Sequence, residues 1–189
     1  TFRQVADDNA LAALRATRSA PAAMDITAPD GSTVSVDLET DAGKAALSDW
    51  VASYLGIGTP TLLESIGGQG FTDIGDKTLS LMNLNSIADI SAKAGQPIET
   101  ERMRGNLYVE MPAWSELDLI GKRITVGAVE FEVDSPVKRC VATEVNYTTG
   151  QKDHPTPQTL MKNFGHADCG IYLRVVNDGT IRVGDAVSF

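Results

Sequence analysis

Cys140 follows directly after Lys138 and Arg139 in the stretch SPVKRCVATEVNYTTG, residues 135–150. A thiol beside two cations is biased toward its thiolate, because nearby positive charge stabilises the anion, and the thiolate is the form that attacks electrophiles and binds metals. The setting is unusual, since the formal net charge of the chain is −9. The other reading of Cys140 is a small thiol filling a strand-borne core position.

A second cationic group lies in ETERMRGNLYV, which holds Arg102, Arg104 and Asn106. On an extended segment Arg104 and Asn106 face the same side, and Gly105 between them permits close approach of the backbone to a ligand. An arginine fork with an asparagine amide suits a phosphate or the edge of a pterin-like ring, since both present several acceptors and donors in fixed geometry. Ordinary surface pairing with Glu99 and Glu101 is the competing explanation. His154 and His166 allow a Cys-His hydrolase in principle, without a legible third group. A zinc site from Cys140, His154, His166 and Cys169 would use every soft ligand but matches no paired C-x-x-C spacing. Asp73 and Ser86 read as a loop carboxylate and a hydroxyl at a helix start, where local capping is the ordinary role.

Other features restrict the class. The 189 residues, 42% hydrophobic and without low-complexity tracts, suffice for one sizeable core or two small lobes. The acidic balance argues against nucleic acid as a partner. No apolar run approaches a membrane span and no signal peptide opens the chain, so a soluble, cytoplasmic protein without membrane attachment is expected. Two cysteines exclude a stapled secreted scaffold and leave a free thiol open.

The elements that must position these residues are legible in part. Residues 7–16 read as a short helix, and MDITAPDGSTVSVDL as a hairpin turning at Pro29-Asp30-Gly31. DAGKAALSDWVASYLG places Leu47, Trp50, Val51, Tyr54 and Leu55 on one helical stripe closed by Gly56, and that helix packs on the sheet. The Gly-rich loop SIGGQGFTDIGD leads to a strand TLSLMN and a helix NSIADISAKAG. From Gly105 onward six strands are expected: NLYVE, RITVG, AVEFEV, CVATEV, IYLRVV and TIRVGDAV, with a helix PQTLMKNFG over one opening. The fold class is α+β, a mixed, largely antiparallel β-barrel fed by a partial N-terminal α/β portion.

The order and spacing of ERMRGNLYVE, AWSELDLIGKRITVGAVEFEV, PVKRCVATEVNYTTG and GHADCGIYLRVVNDGTIRVGDAV resemble the MOSC domain. That is the fold of the molybdenum cofactor sulfurase C-terminal region and of the amidoxime-reducing proteins. The likeness runs from Phe71 to Phe189. The family's R-F-R-P-N stands here as Arg102-Met103-Arg104-Gly105-Asn106, and its R-C as Arg139-Cys140. Its D-P-x-T-G has become Asn146-Tyr147-Thr148-Thr149-Gly150, and its F-G-x-Y has become Cys169-Gly170-Ile171-Tyr172.

Thr1-Phe2-Arg3-Gln4 resembles a T-x-R-Q inside the family's N-terminal subdomain. The likeness therefore implies a partial subdomain over residues 1–65, a barrel over 66–189, and upstream sequence carrying the family's lysine-bearing cofactor segment. It further implies a molybdenum cofactor (molybdopterin), of which this chain would hold a part, with Cys140 as the molybdenum ligand and catalytic residue. Arg104, Asn106, Arg139, Lys138, Arg3, Asp73 and Ser86 would hold the anionic pterin. The implied activity is reduction of N-hydroxylated compounds, with a separate electron-donor protein. The alternatives are sulfur carriage on a Cys140 persulfide, with a cysteine desulfurase as partner, and a non-catalytic cofactor-binding module. Pyridoxal phosphate binding is a further family-level association. Cys169 stands where the family has phenylalanine and reads as core packing or as a thiol resolving Cys140 by a reversible disulfide.

Overall fold

The computed structural model describes residues 5–62 and 78–189. Arg3, Asp73 and the Gly-rich loop at 65–76 lie outside the described residues. Two compact units emerge, Thr1–Gly67 with Val145–Asp153 and Gly68–Glu144 with His154–Phe189.

The first unit carries strands β1 (Arg15–Arg18), β2 (Ala23–Thr27) and β3 (Thr33–Asp37), antiparallel in that order. The β2–β3 hairpin turns where expected. Ala28 N–H donates to the Ser32 carbonyl at 2.9 Å, and the Asp30 carboxylate accepts from Ser32 N–H at 2.8 Å, the local bond that makes aspartate a turn former. Helix α1 (Asp41–Leu55) starts where the Thr40 hydroxyl accepts from Gly43 N–H and ends at Gly56. It packs along β3 with the small residues Ser48 and Ala52 at its buried centre, while the larger stripe is half-buried around them. The helix expected over residues 7–16 is a short 3-10 turn, Asn9–Ala13, after which β1 begins. Pairing of Arg15–Arg18 with β2 overrides the local helix preference there.

The second unit is built on a six-stranded, mixed, barrel-like sheet. Its strands are β4 (Thr78–Asn83), β5 (Leu107–Val109), β6 (Arg123–Val126), β7 (Val129–Lys138), β8 (Asp168–Val175) and β9 (Val187–Ser188), in the order β5-β4-β8-β7-β6-β9. Only β4 and β5 run parallel. Leu81, Ile124, Phe131, Val133, Ile171 and Leu173 form one buried cluster. Leu107 and Val109 on one edge strand and Val187 on the other pack against it, so the sheet curls until it is nearly closed. A second cluster joins Met82, Val137 and Cys169 to Ile87 and Ile90 of α2 (Leu84–Ala94) and Leu160 of α3 (Thr156–Phe164). The two helices thus cover the region where β7 finishes and β8 starts, as the sequence leads one to expect of the PQTLMKNFG helix.

Two expected strands differ. TIRVGDAV yields only the two-residue β9, because a tight turn forms over Arg182–Asp185: Arg182 N–H donates to Asp185 Oδ2 at 2.8 Å and Asp185 N–H to the Arg182 carbonyl at 3.1 Å. CVATEV forms a 3-10 turn, Val141–Glu144, since the hydroxyl and N–H of Thr143 both bond to the Cys140 carbonyl, at 2.8 and 3.1 Å. A local hydroxyl bond of this kind offers the backbone an alternative to a sheet ladder.

Gly170 in β8 has φ 86, and a Cβ there would lie 2.4 Å from Met82 Cε and 2.6 Å from the Leu81 carbonyl. Both backbone conformation and space demand glycine. Gly170→Ala is expected to destabilise the second unit by about 2 kcal/mol or more. The check is the midpoint of urea unfolding, which should fall with an unchanged slope.

Candidate functional site

The last residue of β7 is Lys138, exposed and in register with Asp168. One residue further, Arg139 N–H still donates to the Ala167 carbonyl at 2.7 Å, holding the chain beside the start of β8. Cys140 then sits at the junction with the Val141–Glu144 turn, exposed and off the strand on which it was expected.

Arg139 is the opposite of its neighbour, only 8% exposed. Its Nη1 donates to the Met103 carbonyl at 2.8 Å and its Nε to the Val137 carbonyl at 3.4 Å. Among the described residues no carboxylate is paired with it. Desolvation lowers its pKa, opposed by the thiols of Cys169 and Cys140 and the phenols of Tyr172 and Tyr108. A guanidinium starts so high that it remains a cation at neutral pH. The site therefore contains a buried positive charge beside an exposed thiol.

The second cationic segment reaches the same place by another route. The chain passes from α2 to a 3-10 turn, Thr100–Met103, and Arg104 closes that turn in the left-handed conformation, φ 51. Arg104 and Asn106 are therefore not alternate residues of one extended strand. Asn106 is bound into the sheet: its Oδ1 accepts from Ser80 N–H at 2.9 Å and pairs with Ser80 Oγ at 3.0 Å. Gly105 makes room for protein packing, because a Cβ there would stand 2.4 Å from Met82 Cγ.

Arg102, 3% exposed, pairs with Glu99, as the surface-pairing explanation anticipated, yet it is buried and sends Nη1 to the Glu144 carbonyl at 2.9 Å. Two bonds thus join the two segments, Arg139 to Met103 and Arg102 to Glu144. They bring the Thr100–Met103 turn against the segment Arg139–Glu144 although β4 and β8 separate β5 from β7 in the sheet.

Ser86 has a different task. It is fully buried in the first turn of α2, where its hydroxyl bonds Glu116 Oε2 at 2.9 Å and accepts from Trp114 N–H at 2.8 Å. Asn83 caps the helix by accepting from Asn85 N–H at 3.1 Å and donates to Glu116 Oε2 at 2.8 Å. The histidines point elsewhere too. Nδ1 of His154 pairs with Thr156, and Nδ1 of His166 accepts from Asp168 N–H while its ring meets the edge of Trp114. Among the described residues no three His, Cys, Asp or Glu side chains gather for a metal ion, which removes the zinc reading. A groove of about 580 Å³ along α2, lined by Leu84, Ile87, Ala88 and Pro97 among others, contains none of the cations or the thiol.

Sequence reasoning passed over Tyr108. Its hydroxyl donates to the Thr100 carbonyl at 3.1 Å and accepts from Gly105 N–H at 2.9 Å. A lone tyrosine on a short strand gives no sign of such a bridge, which depends on the preceding turn folding back.

The sequence profile of the MOSC domain matches residues 45–188. The chain belongs to the MOSC domain family. Molybdenum cofactor sulfurase 3 of Aedes aegypti is 41% identical over 78 residues, covering 41% of this chain and 10% of that protein. The molybdenum cofactor sulfurase of Drosophila ananassae is 26% identical over 155 residues, covering 75% of this chain and 20% of that protein. This MOSC chain thus spans about a tenth to a fifth of the length of these curated relatives. Among solved structures, YiiM from Geobacillus stearothermophilus is similar with a TM-score of 0.45 and 16% identity, over 58% of this chain and 52% of that one. The MOSC match covers both segments of the site, Arg102–Asn106 and Lys138–Cys140. No helix among the described residues is long and apolar enough to cross a membrane.

The two thiols of this MOSC domain should behave differently. Cys169 is fully buried in the second cluster, and desolvation pushes its pKa up to about 12, so it stays protonated at neutral pH. Because the unfolded thiol ionises near 9.0, the stability this burial contributes is complete below that pH and is lost as the pH rises toward 12. At pH 8 iodoacetamide should label Cys140 promptly and Cys169 only with global unfolding. Peptide mass spectrometry across a urea series checks this, and early labelling of Cys169 would return it to the role of a resolving thiol.

Proposed function

We propose that the junction of Met103–Arg104 with Arg139–Cys140 holds the molybdenum cofactor, and that the domain reduces N-hydroxylated compounds there. One observation carries the reading: Arg139 is buried without a carboxylate partner among the described residues, next to an exposed cysteine. A buried cation is costly unless an anion meets it, and a phosphate-bearing, sulfur-rich cofactor supplies both an anion for Arg139 and a soft metal for the thiolate.

The residues present fit such a group. Cys140 offers a single soft donor, and since no cluster of protein ligands surrounds it among the described residues, the remaining donors of a metal would come from the cofactor. Arg139 and Arg104 would hold its anionic part, with exposed Lys138 at the rim, and the Met103 carbonyl keeps the Arg139 fork oriented. When bound, the cofactor would supply a centre that takes oxygen from the substrate and is restored by two electrons. Two cysteines cannot build a Cys₄ iron–sulfur centre within this chain. A separate electron-donor protein is therefore part of the proposal.

Sulfur carriage is the second reading, favoured by the exposure of Cys140 and by the molybdenum cofactor sulfurases among the relatives. In it the Cys140 thiolate attacks the outer sulfur of a desulfurase persulfide, the donor's S–S bond breaks, and the donor cysteine leaves as a thiolate. Cys140 then carries the sulfur as a persulfide.

Protein expressed in a cofactor-producing host should contain molybdenum and reduce an amidoxime when a donor is reconstituted. Cys140→Ser should abolish turnover, and Arg104→Gln should lower molybdenum retention about tenfold. A metal-free protein that instead gains 32 Da-type sulfur mass on Cys140 after incubation with a cysteine desulfurase, on the order of one atom per thiol, would support carriage. Neither molybdenum nor added sulfur would defeat both readings.

A further inference from the structure

Arg104 is one of two non-glycine residues with positive φ among the described residues, at 51°. Such a conformation is costly for a residue with a side chain and persists only where its surroundings over-determine it. On one side the turn is closed by Arg104 N–H donating to the Glu101 carbonyl at 3.1 Å. On the other, the chain is fixed at Asn106, whose N–H donates to the Ser80 carbonyl at 2.9 Å. Between these anchors stands the Tyr108 hydroxyl. It accepts from Gly105 N–H, the peptide immediately after Arg104, and donates to the carbonyl of Thr100, where the turn begins.

The tyrosine ring is also close to Gly105, since a Cβ at that residue would lie 3.1 Å from Tyr108 Cζ. Ring and hydroxyl together enclose the backbone that carries Arg104. Partial burial, the largest effect, raises the phenol pKa, so the hydroxyl keeps the proton it donates to Thr100 at neutral pH. No packing need accounts for the hydroxyl, because Tyr108 is 37% exposed and a phenylalanine would fill the same space.

We propose that Tyr108 is a positioning residue, whose hydroxyl locks the left-handed backbone at Arg104 and thereby sets the Arg104 guanidinium toward Cys140. The inference rests on the reading of Arg104 and Cys140 as one site, and goes beyond it by naming what holds that site in shape.

The test uses Cys140 as a reporter of local charge. Alkylation rates with iodoacetate, an anion, and iodoacetamide, its neutral counterpart, give a ratio that rises with positive charge near the thiol. In Arg104→Gln the ratio should fall about two- to threefold, the effect of one unit charge several ångströms away in water. Tyr108→Phe should lower it by a similar factor and have no further effect in the Arg104→Gln background. Hydrogen exchange at the Gly105 amide should quicken at least about tenfold in Tyr108→Phe, with Cys169 still protected as evidence that the core is folded.

If Arg104→Gln lowers the ratio and Tyr108→Phe does not, or if Tyr108→Phe acts equally without Arg104, the positioning role is wrong and the site reading stands. If neither substitution changes the ratio, Arg104 does not face the thiol and both fail together.

Discussion

The bond from the Arg139 guanidinium to the Met103 carbonyl is the constraint on which this site depends. It reaches from the end of β7 to a turn that precedes β5, across a sheet in which those strands are not neighbours. A hydrogen bond to a charged group contributes about 1.5–3 kcal/mol, whereas removing a cation from water costs several kcal/mol even after relaxation. Two carbonyl acceptors thus offset much of the burial of Arg139 without supplying a counter-charge. Arg102 differs: it is equally buried but has Glu99 as its counter-charge, so its part is architectural.

A second buried polar group supports that geometry from behind. Glu116 is fully buried, and its Oε2 gathers the Asn83 amide and the Ser86 hydroxyl, while Ser86 also holds Trp114 N–H. Trp114 has φ 69, the other left-handed non-glycine residue among those described, and its indole N–H reaches Asp89 at 2.8 Å. Its ring then packs on Phe164 at the end of α3. The start of α2, the loop before β6 and the end of α3 are thus tied by one network. Such a network is worth more in the dry interior than on the surface, provided its polar atoms are met. Glu116 Oε1 is an exception, lacking a hydrogen-bond partner among the described residues.

Local pattern carried the sequence reading a long way, and its failures share a cause. Helices α1 and α2 were legible because capping residues and apolar spacing agree, and the β2–β3 hairpin because Pro29-Asp30-Gly31 leaves few other conformations. The short helix expected at 7–16 and the strands expected at 140–145 and 180–187 were lost to interactions invisible in local composition: a strand partner for β1, the Thr143 hydroxyl, the Asp185 carboxylate. At the candidate site, the Arg-Cys pair and the arginine of R-x-R-G-N stand out in the sequence as cations and a thiol. Their opposite burial does not, because adjacent residues at the end of a strand look alike in sequence. Ser86 was legible as a hydroxyl near a helix start, but its partner Glu116 lies thirty positions away and sequence spacing has no means of joining them.

The overall acidity of the chain now has a physical place in the argument. Charges on an exposed surface are screened within about 8–10 Å at physiological ionic strength, so a net charge of −9 opposes anions chiefly within that distance of the surface and offers them no long-range attraction. A protein of this balance gains nothing from long-range steering of an anionic ligand. Attraction of an anion to such a surface requires charge that acts at contact, where low dielectric strengthens it. Arg139, buried and held by its neighbours' carbonyls, is a cation of that kind, and Cys140 beside it remains open to solvent. The two adjacent residues thus differ in kind: one is a buried fixed charge shielded from water, and the other an exposed thiol.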